Sequence, residues 1–99
     1  MNPDMEIFLG GVLSGAKATR KRHLMQAAAI QRAINDRWGL SAPEQWKAKH
    51  VRWFLHEHQK HLAPNTRYWY WLTVEILLVR LKKVNDWEPH LRGPWRKPS

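Results

Sequence analysis

The sequence predicts a small all-α bundle of three to four helices around one core. Three observations lead there. Apolar side chains recur at i, i+3 and i+4 through most of the chain, no segment alternates with period two, and proline, glycine and capping residues punctuate it at helix-length intervals. With 99 residues and 43% apolar content, seven tryptophans included, there is material for a single compact core. The chain carries neither a repeat at solenoid spacing nor a low-complexity tract.

Residues 1–16 read as an N-terminal segment. Pro3, Met5, Phe8, Leu9 and Val12 suit a short helix weakened by Gly10-Gly11 and ended by Ser14-Gly15. From Ala16 to Trp38 helix formers dominate, with Ala27, Ile30, Ile34 and Trp38 on one stripe, and Gly39 is placed to close the helix as a left-handed cap. Ser41-Ala42-Pro43-Glu44 has the form of a capping box and is expected to open a second helix that continues from Trp46 through Leu62. Val51, Phe54, Leu55, His58 and Leu62 share its apolar face, and Arg52, His56, Gln59 and Lys60 share the other. Pro64 breaks it, and Asn65 and Thr66 are read as the caps of a third long helix, about 65–83, apolar over two adjacent stripes. The core domain thus spans 17–84, and 85–99, with three prolines and three Lys or Arg, reads as an extended basic tail.

The formal charge is +9, from seventeen Lys and Arg against eight Asp and Glu, which exceeds what solubility requires and points to a polyanion, nucleic acid before an anionic membrane. Absence of cysteine removes disulfides and thiolate metal sites. The apolar patch from Ile7 to Leu13 is too short to span a bilayer and is preceded by acids, unlike a secretory signal, so a soluble cytoplasmic protein without a membrane partner is expected.

The acids are scattered without a close pair for acid and base work, no cysteine nucleophile exists, and no glycine loop precedes Lys-Ser or Lys-Thr, so a non-enzymatic role without cofactor is expected. His58 and His61 are helical neighbours, but His56 lies about 200° from His58, so the three do not meet one ion. Tryptophans at helical spacing read as core or interface residues before base-stacking platforms, and Trp69 and Trp71, about 200° apart, belong to different faces.

The cations gather near the expected helix starts: Lys47, Lys49 and Arg52 in the second helix, Asn65, Thr66 and Arg67 in the third, Arg20 and Lys21 beside Arg22 in the first. Helix starts also present free N–H groups and a positive dipole end, so this placement suits a phosphate clamp.

Trp46-Lys47-Ala48-Lys49-His50-Val51-Arg52-Trp53-Phe54-Leu55, then Leu62-Ala63-Pro64-Asn65-Thr66 and a helix ending Leu77-Leu78-Val79-Arg80-Leu81, resembles the N-terminal core-binding (SAM-like) domain of tyrosine recombinases and phage integrases. The family pattern runs K-x-x-x-V-x-x-F-L, a loop L-S-x-x-T, and a helix with a tyrosine-led apolar ladder; here Ala63 replaces the serine, while Thr66, Tyr70 and Val74 keep the spacing. The stretch from Arg20 to Trp38 is similar to the family's first basic helix, and Asn85 to Lys97 to its linker. The resemblance implies half of a clamp around duplex DNA, with phosphate and major-groove contacts from Lys47, Lys49, Arg52, Asn65, Thr66 and Arg67, and backbone contacts from Arg92, Arg96 and Lys97.

The family's catalytic arginines, His-x-x-Arg element and nucleophilic tyrosine have no counterpart, so the expectation is a DNA-binding fragment or stand-alone factor of a phage, plasmid or integrative element, acting in recombination, integration or regulation. A recombinase or a second copy is a further expected partner. The alternative is an interaction module that docks through Trp69, Leu72, Ile76 and Val79, and charge alone leaves RNA open as the polyanion.

Overall fold

Ala27, Ile30 and Ile34 are sealed from solvent, and the rest of the protein is arranged around that stripe. The computed structural model describes residues 5–93. Its helices are α1 (Met5–Leu9), α2 (Lys17–Trp38), α3 (Ala48–Trp53), α4 (Pro64–Leu81) and α5 (Val84–Leu91), with a 3-10 turn at Pro43–Gln45 and a π-turn at Phe54–His58 that continues α3. The all-α prediction holds: no strand occurs among the described residues. α2 and α4 pack together, α1 packs on both, and α3 and α5 pack on each other, α3 also against α2 and α5 against α4.

Gly39 takes the left-handed cap conformation (φ 70°) and returns its N–H to Asn35 O at 2.8 Å, as its position after Trp38 predicts. α1 is only five residues long and survives by burial of Met5, Phe8 and Leu9. Arg80 reinforces it from α4, donating Nε–H to Phe8 O at 2.8 Å with its guanidinium 4.6 Å from the Phe8 ring centroid.

One polar cluster lies inside the α2–α4 contact. Thr73, fully buried, donates its hydroxyl to Gln26 Oε1 and lies 2.8 Å from His23 Nδ1, which therefore donates to the hydroxyl oxygen. Burial and the neighbouring Arg22 hold His23 below the usual histidine range, consistent with this neutral ring. The cluster pins the register of the two central helices.

Four sequence expectations are corrected. The Ser41 capping box does not form: Ala42 precedes the 3-10 turn, Gln45 Oε1 accepts its N–H at 3.1 Å, and the helix stops at Trp46, which is extended (ψ 155°). That extension lets Trp46 bury its ring and donate Nε1–H to Leu40 O at 3.2 Å.

Asn65 and Thr66 lie inside the first turn of α4 and do not cap it. Pro64 takes the first helical position, and Ala63 before it is extended (ψ 150°), as a residue preceding proline prefers.

The face assigned to 51–62 also shifts. Gln59 N–H reaches Phe54 O at 3.1 Å across the π-turn; that extra residue carries Gln59 into the interior and leaves His58 exposed.

Finally, 84–91 is a helix, not the start of an extended tail. Val84, Trp87 and Leu91 fall at i, i+3 and i+7, and all three pack on the core, Leu91 completely. Burial on that stripe outweighs the bond lost at Pro89, which sits near the end of a short helix.

Candidate nucleic-acid interface

Lys47, Lys49 and Arg52 are exposed on α3, Lys47 as the residue before the helix and Lys49 in its first turn, where the chain leaves the extended Trp46 and turns helical, whereas Arg52 lies in its last turn and not at the helix start the sequence suggested. His50 fixes that turn. Its Nδ1 accepts Lys47 N–H at 2.9 Å, its ring lies 4.7 Å from Trp38, and burial followed by the charges of Lys49 and Lys47 holds it below the ordinary histidine range. A neutral acceptor nitrogen is what an orphan N–H at a helix start requires.

The three cations share one open depression of about 320 Å³, which α5 completes with His90. His56, on the π-turn, joins this face to the start of α4. The ring is half-buried and held below its ordinary range by burial first, then by Arg52 and Arg67; a hydrogen bond with the backbone of Arg92 and the charge of Glu57 act the other way. Arg52 from α3, Arg67 from α4 and the chain at Arg92 after α5 thus converge on one imidazole. The Glu57–Lys60 ion pair, at 3.8 Å, is exposed and involves none of Lys47, Lys49 and Arg52.

The remaining candidates divide. Asn65 is exposed and Thr66 half-buried, both one turn or less from Arg67 at the start of α4. Arg20 and Lys21 lie elsewhere, on a depression of about 580 Å³ between α1 and α2 shared with Lys17, Leu13 and Leu24. The single clamp expected from all helix starts is therefore two basic surfaces. Arg96 and Lys97 lie outside the described residues.

His90 is the residue of this face that sequence reasoning missed, because it falls in the stretch read as the tail; Arg52 and His56 share a face as the sequence predicts. The i, i+4 spacing of Arg52 and His56 is the signal that carries that shared face.

Other cations are committed to aromatic rings. Arg22 lies 4.3 Å from the Trp69 ring centroid, and Arg37 lies 4.8 and 5.3 Å from those of Trp38 and Trp53. Trp38, Trp53, Trp69 and Trp71 are all half-buried, as core-edge residues are. Of the four residues read as an alternative docking face, Trp69, Leu72 and Ile76 are half-buried and only Val79 is exposed, at 54%.

Among the described residues no group of three His, Asp or Glu side chains is arranged to hold a metal ion, and no helix is long and apolar enough to cross a membrane. Comparison with protein-family models, curated proteins and solved structures finds no match.

Proposed function

We propose that this chain is a non-enzymatic DNA-binding domain of the tyrosine-recombinase core-binding type, which docks on duplex DNA through the α3–α4–α5 face. The observation that carries the reading is the convergence of Lys47, Lys49 and Arg52 on one depression with Arg67 and the backbone of Arg92 close by, in a chain of formal charge +9. Cations drawn from three elements match successive phosphates, with at most a few base-edge contacts from Arg67, Asn65 or Lys49.

Docking is electrostatic. Cations displace condensed counterions from the duplex, so affinity falls steeply with salt. The depressed protonation of His56 and His50 has a functional consequence: both rings stay neutral and serve as scaffold at neutral pH, and Lys and Arg carry the charge. A role in recombination or regulation of a mobile element follows from the family resemblance alone.

Arg52→Ala/Arg67→Ala tests the site. In a salt-titrated mobility-shift assay the double variant is expected to bind a duplex more weakly, with a salt dependence shallower by about two contacts, while its helical circular dichroism matches the parent. Unchanged affinity defeats the assignment. A competing RNA duplex that displaces the DNA at equal concentration would redirect the reading to RNA.

A further inference from the structure

Two surfaces outside the α3–α4–α5 face fit one another. The groove between α1 and α2 has an apolar floor, Leu13, Leu24 and the 64%-exposed Met25, with a rim of Lys17, Arg20 and Lys21 and one carboxylate, Glu6. It follows α2 from Lys17 to Gln31, fourteen residues or about 21 Å at the helical rise.

On α4 and α5 the signs are reversed. Glu75 and Glu88 flank a crevice lined by Trp71, Val79 and Val84, and neither carboxylate forms an ion pair with another described residue. Partial burial, then the charge of Glu88, raises the Glu75 carboxyl above its ordinary value.

The exposed large hydrophobics of the described residues are Ile7, Met25 and Val79: the first on α1, the second in the groove, the third beside the carboxylates. Each surface therefore joins apolar area to an excess of one sign of charge, three cations against the single carboxylate of Glu6 in the groove and two carboxylates at the crevice.

We propose that copies of this chain associate head to tail, the acidic face of α4 and α5 on one copy seating in the basic groove between α1 and α2 of the next. Such a contact is heterologous, so each pair leaves a groove and an acidic face unused, and assembly continues unless the rotation closes a ring. Mutual repulsion of the positive copies is screened beyond about 8 Å at physiological salt, so the local match decides. This association needs no nucleic acid and stands apart from the DNA reading.

Sedimentation velocity tests it, in DNA-free buffer at moderate ionic strength. The parent chain is expected to rise with concentration from 11.8 kDa to at least twice that mass, and to return to monomer in high salt. Arg20→Glu/Lys21→Glu and Glu75→Lys/Glu88→Lys, all exposed positions, should each stay monomeric with unchanged helicity, because each chain then carries two faces of the same sign. Mixing the two variants restores association, since each supplies what the other lacks. A parent chain that remains monomeric at every concentration overturns the proposal, as does a mixture that fails to associate. If the parent is monomeric and Arg20→Glu/Lys21→Glu loses affinity for duplex DNA, the groove belongs to nucleic acid instead.

Discussion

Replacing Thr73 with valine removes one hydroxyl from the centre of the α2–α4 contact and changes almost nothing else. Valine matches threonine in volume and branching, so no cavity opens, and the whole effect comes from hydrogen bonding. The hydroxyl is fully buried, donates to Gln26 Oε1 at 2.8 Å and accepts from His23 Nδ1 at 2.8 Å. His23 is buried as well, so its N–H loses a partner without gaining water, whereas half-buried Gln26 recovers solvent on one side. A buried unsatisfied donor costs about 1–3 kcal/mol. At roughly 4–8 °C per kcal/mol for a domain of this size, a mid-range loss of about 2 kcal/mol lowers Tm by roughly 8–16 °C. Urea unfolding followed by circular dichroism at pH 7.5 measures it, with a lower midpoint and an unchanged slope expected. Thr73→Val/His23→Leu should recover part of the loss, because both sides of the bond are then apolar. A midpoint equal to the parent's would refute the bridging role of the hydroxyl.

Three further outcomes follow from the same structure. His23, His50 and His56 all sit below the ordinary histidine value near 6.5, so the unfolded chain binds more protons than the folded one just beneath it; stability is full above that pH and is lost as pH falls, which urea midpoints at pH 7.5 and 5.5 will register as a decrease. Lys82 caps α4 in the left-handed region (φ 59°), where a side chain is strained, so Lys82→Gly should raise stability by about 0.5–1 kcal/mol in the same assay; an unchanged or lower midpoint would contradict the strain. Glu88→Gln removes the like charge facing Glu75, and NMR titration should find the Glu75 carboxyl moved back down; no movement would mean that burial alone sets its value.

Long-range placement separates what the sequence disclosed from what it concealed. The α2 stripe, its Gly39 cap and the cation cluster at 47–52 were legible because each depends on residues within a few turns. The π-turn was not, since its shift of Gln59 inward goes with the burial of Phe54 and Leu55 and the packing of Phe54 on Tyr70 of α4, a long-range contact and not a local preference. α5 was hidden by Pro89, although the Val84, Trp87 and Leu91 spacing was present to be counted. Of the basic residues, position along a helix could be read but direction around the bundle could not. That is why Arg20 and Lys21 were grouped with Lys49 and Arg52 while belonging to another groove.

The slope of log affinity against log salt for a plain DNA duplex examines the central claim most directly. Five cations, Lys47, Lys49, Arg52, Arg67 and Arg92, at about −0.9 each give a slope near −4.5, and Lys47→Ala/Lys49→Ala/Arg52→Ala should reduce it to about −1.8. A slope close to zero, or one that the triple substitution leaves unaltered, would place the polyanion elsewhere on the protein or remove it altogether.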